Sequence, residues 1–146
     1  MEIIKNGYLL SDDRSKIQIE IVHQYLSNKS YWAKNIPFEI VEKSIQNSLC
    51  FGIYDQNQQV AFARIISDFA AIAYLGDVFV LETHRKKGLS KWLLESIRNH
   101  PELQGLRRWI LLTGDAHELY KKYGWHEIKK AENWMEINEI QEYPKP

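Results

Sequence analysis

The sequence predicts a single α+β domain over residues 1–146, with a mixed sheet of about six to seven strands flanked by about four helices. The length is the first indication, because 146 residues suit one hydrophobic core. The second is that apolar residues recur at helical spacing in some stretches and at the period of two typical of strands in others. The third is a succession of strand, helix and strand over residues 70–113, which favours a parallel pair of strands.

One strand and two helices are predicted first. Residues 8–10 form a short apolar run before a polar stretch at residues 11–13, a pattern typical of a strand followed by a helix start. Four-residue spacing then predicts a helix whose buried stripe comprises Ile17, Ile21 and Tyr25. Pro37 predicts the start of a second helix, because the first helical position needs no N–H. The inward face of this helix would comprise Phe38, Val41 and Ile45.

Residues 49–80 are predicted to form three strands. The extended runs 49–54 and 60–67 are separated by polar residues 55–58, which predicts a β-hairpin. Residues 70–80 follow a turn and are long and apolar enough for a central strand.

The remaining chain is predicted to alternate helix and strand. Leu89, Leu93 and Ile97 share one helical stripe, and Pro101 disfavours helix in the residue before it. Residues 107–113 indicate a buried strand, and residues 116–123 a short helix that Gly124 ends. Two short strands at 125–128 and 134–137 and a frayed end at 143–146 complete the prediction.

Composition and charge exclude several classes of function. The chain has 19 lysines plus arginines and 19 aspartates plus glutamates, so it lacks the broad basic field that binds nucleic acids or anionic membranes. Its one cysteine excludes an internal disulfide, and its five histidines lack the spacing of a zinc site, so no metal is predicted. Neither a membrane span nor a signal peptide is recognisable. We therefore expect a cytoplasmic protein.

The basic segment Arg85-Lys86-Lys87-Gly88-Leu89-Ser90 stands between a predicted strand and a predicted helix. At a helix N-terminus the first N–H groups are unpaired, and the helix dipole adds partial positive charge. Gly88 allows close approach of a ligand to the backbone. The pattern favours phosphate binding, and a solvated basic turn is the alternative.

Two segments resemble motifs of the GNAT superfamily of N-acetyltransferases. Residues 85–90, preceded by Asp77-Val78-Phe79-Val80, are similar to the acyl-coenzyme A binding motif Gln/Arg-x-x-Gly-x-Gly/Ala, with Ser90 as the last small residue. Residues 116–125 are similar to the pattern Ala-x-x-Leu-Tyr-x-x-x-Gly-Phe, with Trp125 in place of Phe. The predicted order of elements resembles the family fold across almost the whole chain.

The resemblance implies an enzyme that transfers an acetyl group from acetyl-CoA to an amine by direct attack on the thioester. The backbone of three residues would pair with the pantetheine arm like an added strand: Val78, Phe79 and Val80. The N–H groups of six residues would hold the pyrophosphate: Arg85, Lys86, Lys87, Gly88, Leu89 and Ser90. Thr113 stands where many relatives have an asparagine that contacts the pantetheine arm.

Tyr120 matches the tyrosine that protonates the departing thiolate in many relatives. A phenol has a higher pKa than a thiol, so a neutral tyrosine can donate to developing thiolate charge; packing beside Leu119 is the alternative. Asp77 is the candidate general base, with Tyr74 and Glu82 as rivals, and a hydrogen-bond anchor is its alternative role. Strand alternation places Asp77 and Tyr74 on opposite faces unless a bulge intervenes.

The acceptor side is less defined. Tyr31 and Trp32 lie between the first two helices, a region that overhangs the acceptor site in the resembled fold, so they are predicted to line an acceptor pocket; packing between the helices is the alternative. The expected acceptor is a small-molecule or peptide amine, and a homodimer is left open. Two other functions stay open: a non-catalytic module that binds or senses acyl-CoA, and a nucleotide-phosphate binder.

Overall fold

A computed structural model of the chain, complete over its 146 residues, contains one six-stranded sheet in which the strands lie in chain order. The strands are β1 (Glu2–Lys5), β2 (Tyr8–Ser11), β3 (Leu49–Asp55), β4 (Gln58–Ser67), β5 (Ile72–Val80) and β6 (Arg108–Leu111). Neighbouring strands are antiparallel except β5 and β6, which are parallel. The predicted α+β class and mixed sheet are confirmed.

Four helices flank this sheet: α1 (Ile19–Asn28), α2 (Phe38–Gln46), α3 (Leu89–Arg98) and α4 (His117–Lys121). The buried residues of α1 and α2 pack with Phe62 and Phe79 of the sheet, whereas those of α3 pack with Phe51 and Ile53. The sheet is therefore covered on both faces, because successive side chains of a strand point to opposite sides. None of the helices is long and apolar enough to cross a bilayer.

The buried stripe of α1 differs from the prediction. The prediction gave Ile17, Ile21 and Tyr25. The helix begins at Ile19 and buries Val22 and Leu26 instead, so Ile17 is buried ahead of the helix. Tyr25 lies beside this stripe, where its ring stacks on Phe79 with centroids 4.1 Å apart. The four-residue spacing was correct, but the predicted stripe was counted from Ile17, which lies before the helix, and it is one residue out of phase with the buried one.

Strand β1 is absent from the prediction. Asn6 and Gly7 connect β1 to β2, and both have positive φ, 52° and 82°. Two consecutive residues at positive φ form the tight hairpin turn for which Asn-Gly is a strong sequence signal. The sequence therefore held the information for this hairpin.

The two short strands predicted at residues 125–128 and 134–137 do not form, so that prediction is wrong. No strand follows β6, which is an edge of the sheet. Trp125 packs against Trp109 and Tyr120, with ring centroids 6.3 Å and 6.0 Å away. Beyond it, backbone hydrogen bonds occur only around a short 3₁₀ turn at Ala131–Asn133. Alternation of apolar and polar residues is a local signal, whereas a strand also needs a partner for its backbone.

Candidate functional site

A bulge in β5 sets the geometry of the site. Two residues of β5, Asp77 and Val78, lie opposite one residue of β4, Ala63. Asp77 has a φ of 55°, which is uncommon for a residue other than glycine. A bulge of this kind bends its strand and redirects the side chains. As a result Asp77 and Tyr74 line the same cleft, which a regular strand would not allow.

The cleft opens where β5 and β6 separate. On β5 only the residues from Ile72 to Leu75 pair with β6, so one edge of β5 has no strand partner beyond Leu75. The cleft has a volume of ≈ 690 Å³, within the range of small-ligand sites. The three residues predicted to pair with an extended ligand line it together: Val78, Phe79 and Val80.

The segment between β5 and α3 presents a row of free backbone N–H groups. Lys86, with a φ of 64°, and Gly88, with a φ of 76°, are left-handed, and Lys87 between them is not. No backbone carbonyl accepts a hydrogen bond from residues 86–91, and we call these N–H groups the amide nest. Consecutive free N–H groups at a helix N-terminus form a concavity that binds anions. The sequence predicted the nest from Gly88 but gave no sign that Lys86 is left-handed.

The cations around the amide nest differ in position. The Nε of Arg85 donates to the carbonyl of Val80 at 3.1 Å, and its Nη2 donates to the hydroxyl of Tyr25 at 3.0 Å. These bonds fix the guanidinium across the cleft, which Lys86 also lines. The side chain of Lys87 lines a second, smaller cavity of ≈ 260 Å³ instead. Lys87 therefore contributes its N–H to the nest but not its side chain to the cleft.

Asp77 is held by two donors. The indole Nε1 of Trp32 donates to Oδ1 of Asp77, and Nε of Arg64 donates to Oδ2, each at 2.9 Å. Arg64 also donates through Nη1 to the hydroxyl of Ser48 at 3.1 Å. Arg64 is a site residue that the sequence analysis missed. A charged side chain in an otherwise apolar strand needs a partner of opposite charge or a hydrogen-bond acceptor when it is buried. This requirement could have identified Arg64 from the sequence.

Tyr31 and Trp32 connect three parts of the fold across the mouth of the cleft. The Tyr31 hydroxyl accepts from the N–H of Gly114 at 2.6 Å and donates to Asp115 at 3.3 Å. Trp32 reaches β5 through Asp77, and the two aromatic rings meet edge to face with centroids 5.1 Å apart. Both residues line the cleft, together with Asp77.

Tyr120 lies on α4 and lines the same cleft. Its ring packs on Trp125, and its hydroxyl makes no hydrogen bond to the protein. Burial raises the pKa of Tyr120 to about 12, and Tyr31 and Asp115 add to the rise. The phenol is therefore protonated at neutral pH and free to donate to a group in the cleft.

The Thr113 hydroxyl is partly engaged by the backbone of its own loop. Thr113 lines the cleft. Its Oγ1 accepts from the N–H of Ala116 at 3.0 Å and from that of Asp115 at 3.4 Å. Because these bonds use the oxygen as acceptor, the hydroxyl proton is still available to a ligand.

The two rivals of Asp77 lie in different places. Tyr74 lines the cleft, and burial raises the pKa of its phenol, with the charge of Asp77 acting in the same direction. Glu82 lies in a 3₁₀ turn after β5 and does not line the cleft. A tyrosine with a raised pKa is a poor base at neutral pH. Neither rival is therefore better suited than Asp77 to accept a proton.

Comparison with known proteins finds relatives that cover most of the chain. Residues 46–127 match a family model described as an acetyltransferase (GNAT) domain. A crystal structure of a protein from Xanthomonas campestris pv. campestris, assigned to the GNAT acetyltransferases, is 47% identical with a TM-score of 0.89. That alignment covers 92% of this chain and 94% of the other.

Two further similarities are more distant. A protein of Gibberella zeae assigned as an acetyltransferase is 29% identical, with 81% of this chain and 78% of that protein covered. A structure from Clostridium acetobutylicum, assigned as an acetyltransferase and determined with acetyl-CoA, is 19% identical with a TM-score of 0.68. That alignment covers 94% of this chain and 96% of the other. At 19% identity the similarity shows a shared fold and nothing further.

Proposed function

The chain belongs to the GNAT family of acetyltransferases, and we propose that it transfers an acetyl group from acetyl-CoA to the nitrogen of an amine. The proposed acceptor is a small-molecule or peptide amine. Acetyl-CoA is the proposed co-substrate, and no metal takes part in the proposed reaction.

One observation carries the proposal: the amide nest lies at the end of an unpaired strand edge within a single cleft. The nest suits a diphosphate, because its N–H groups converge at a helix N-terminus. The free edge of β5 suits an amide-bearing arm, which can add to a sheet as a strand does. A nucleotide phosphate would use the nest alone and leave the strand edge without a partner.

The residues around the cleft fit acetyl-CoA from end to end. The free N–H groups of residues 86–90 would hold the diphosphate; the N–H of Arg85, predicted to join them, instead donates to the carbonyl of Glu82 at 3.4 Å. The backbone of residues 78–80 would pair with the pantetheine arm, and the Thr113 hydroxyl would donate to that arm. When bound, acetyl-CoA supplies the thioester carbon that the amine attacks. The Tyr120 hydroxyl holds the proton that we propose it gives to the departing sulfur. The raised pKa keeps the phenol protonated at neutral pH but also makes it a weaker acid than a thiol. We therefore propose that the hydroxyl donates a hydrogen bond to the sulfur as negative charge develops there, and that the proton follows only as the C–S bond breaks.

For Asp77 we favour the anchoring role over that of general base. Each of its carboxylate oxygens already accepts a hydrogen bond, one from Trp32 and one from Arg64. An amine could approach the carboxylate only in competition with these donors. Asp77 would instead fix Trp32 as a wall of the acceptor pocket, and the amine would lose its proton to water. Holding the two reactants in place supplies much of the acceleration.

Asp77→Asn should therefore raise KM for the amine by about tenfold and lower kcat by less than about threefold, since weaker positioning of the acceptor mainly affects binding. An amide nitrogen facing Nε of Arg64 would place two donors together and loosen Trp32. Steady-state kinetics at saturating acetyl-CoA measure both constants. Trp32→Phe is the matched variant, because it removes the indole N–H and keeps the carboxylate. If Asp77 is the base, Asp77→Asn will lower kcat by about 100-fold or more and Trp32→Phe will not.

The proposed function itself is tested by binding and turnover. Acetyl-CoA at a hundredfold its Kd should raise the free energy of unfolding by about 2.7 kcal/mol, and ATP or inorganic pyrophosphate should stabilise less. A screen over amine classes that detects free CoA then tests transfer. Stabilisation by acetyl-CoA without turnover on any amine would support the non-catalytic module. An equal thermal shift with ATP would support the nucleotide-phosphate binder.

A further inference from the structure

The charged side chains of the cleft are distributed unevenly. On the side of the amide nest, Arg85 and Lys86 line the cleft and carry positive charge. On the side of α4, the cleft is lined by Asp115, which follows β6 and, with Asp77, is one of its two acidic residues. The basic side suits the diphosphate of the proposed co-substrate. The negative charge is therefore left for the other reactant.

Of the two carboxylates in the cleft, only that of Asp115 has no cation beside it. Asp77 forms a salt bridge with Arg64 at 2.9 Å, and its other oxygen accepts from Trp32. Asp115 forms no salt bridge, its Oδ1 accepts from the Tyr31 hydroxyl at a long 3.3 Å, and its Oδ2 has no donor in the protein. Asp115 is also exposed, so a cationic ligand can reach it from solvent.

Two aromatic rings lie beside this carboxylate at the mouth of the cleft. Tyr31 is 57% exposed and Trp32 is 42% exposed, and both line the cleft. The face of an aromatic ring attracts a cation, and its apolar surface also packs against methylene groups. A carboxylate next to two accessible rings therefore suits an alkylammonium group, which is charged at neutral pH.

This part of the cleft has no free cation for a negatively charged acceptor. Arg64 is the cation nearest to Trp32, and its Nε and Nη1 donate to Asp77 and to the hydroxyl of Ser48. The charge of Arg64 is therefore balanced within the protein. A carboxylate on the acceptor would be repelled by Asp115 without a compensating partner.

We propose that the acceptor is an aliphatic diamine or polyamine, and that its second amine binds as an ammonium to Asp115 and the rings of Tyr31 and Trp32. The inference rests on the proposed acetyl transfer. The reacting nitrogen is neutral when it attacks, and it forms the C–N bond as the C–S bond breaks. It loses one proton to water, while Tyr120 gives one to the sulfur and regains one from water. Asp115 is exposed, whereas Tyr120 is partly buried, so the ammonium at Asp115 is a group other than the reacting nitrogen.

Acceptors that differ only in their second group test the proposal. The best diamine in a series of three to six carbons is compared with the monoamine and the ω-amino acid of the same length. The diamine should exceed the monoamine in kcat/KM by at least about tenfold, as expected for a charge-assisted hydrogen bond. The amino acid should be the poorest of the three. A monoamine or an amino acid that matches the diamine would overturn the proposal.

Asp115→Asn should reduce the preference for the diamine over the monoamine to about threefold or less, because the ring contacts that remain are weaker than the charged contact. Glu118→Gln is the matched control. Glu118 carries the same charge on α4, its side chain is 88% exposed, and it does not line the cleft. If Asp115 were a general base, Asp115→Asn would slow all acceptors alike and leave the preference unchanged. An unchanged preference in Asp115→Asn, or an equal loss in Glu118→Gln, would overturn the proposal.

Binding without turnover separates this inference from the proposed function. Isothermal titration calorimetry of the CoA-saturated protein should show that the diamine binds at least about tenfold more tightly than the monoamine. A protein that binds the diamine with this selectivity but acetylates no amine would contradict the proposed transfer and keep the cation site. Equal affinities for the two amines, together with turnover of both, would overturn the cation site and keep the transfer.

Discussion

Replacing Gly88 by glutamate should weaken acetyl-CoA binding by at least about 100-fold. Gly88 lies in the centre of the amide nest, and no atom approaches the position of an added Cβ within 4 Å, so the new side chain has room beside the nest. Its carboxylate would then repel the diphosphate. Two like unit charges about 4 Å apart near a protein surface repel each other by about 4 kcal/mol. Each 1.4 kcal/mol of lost binding free energy weakens affinity tenfold. Isothermal titration calorimetry with acetyl-CoA measures the loss.

Gly105→Glu is the matched control for this variant. Gly105 has a φ of +75° against +76° for Gly88, and its added Cβ also meets no atom within 4 Å. Both substitutions therefore place a glutamate in the left-handed region at a similar conformational cost. Gly105 does not line the cleft. If Gly88→Glu binds acetyl-CoA as tightly as Gly105→Glu does, the diphosphate does not lie in the amide nest.

The central part of the fold was predictable because its signals are local. Residues 55–58 are polar between two extended runs and mark a turn, and Pro37 marks the start of α2. Gly88 marks the strand-to-helix connection for the same reason, since glycine has few steric limits on φ. These features depend on a few adjacent residues. A sequence shows them directly, and the structure has them within one residue of the prediction: Pro37 directly precedes α2, and the turn lies at residues 56–57 between β3 and β4.

The geometry around Asp77 was not predictable, because it depends on the pairing of two strands. In a regular strand Asp77 and Tyr74 point to opposite faces, so the sequence analysis allowed only one of them to face the site. One additional residue in β5 relative to β4 brings both into the cleft. Gly76, directly before Asp77, is a weak local signal, because a glycine inside a strand often marks a bulge, but it does not show which side chains the bulge turns into the cleft. The partnership with Arg64 depends on the same register.

At the end of the chain the sequence analysis predicted two strands that the structure does not contain. Residues 125–128 and 134–137 have the composition of strands, yet they form none within this chain. A sequence pattern gives the preference of a segment for extended backbone, but the hydrogen bonds of a strand come from a neighbour. In the case of residues 134–137 the backbone is free of such bonds and the side chains are exposed. The prediction of a strand at residues 134–137 was therefore wrong, because no neighbouring strand supplies those hydrogen bonds.

Tyr120→Phe should lower kcat for acetyl transfer by about 100-fold, the lower range for loss of a positioned general acid. Acetyl-CoA affinity should stay within about twofold, because the hydroxyl is not assigned to binding. Stability should change little as well, since the Tyr120 hydroxyl makes no hydrogen bond to the protein. Tyr123→Phe is the matched control, because Tyr123 packs against the core and does not line the cleft. Single-turnover kinetics at saturating acetyl-CoA separate the chemical step from product release.

The pH dependence separates an acid at Tyr120 from a merely structural tyrosine. Burial raises the pKa of Tyr120 to about 12, so the proposed donor keeps its proton as the pH rises through 8, 9 and 10. Wild-type kcat should therefore not decline over that range through loss of the acid, and it should rise wherever a larger fraction of the amine is neutral. An alkaline decline near pH 9 that Tyr120→Phe abolishes would show an acid of much lower pKa than the buried phenol. A Phe variant with undiminished kcat would remove Tyr120 from the reaction and leave proton delivery to water, which would reach the sulfur only through the open side of the cleft.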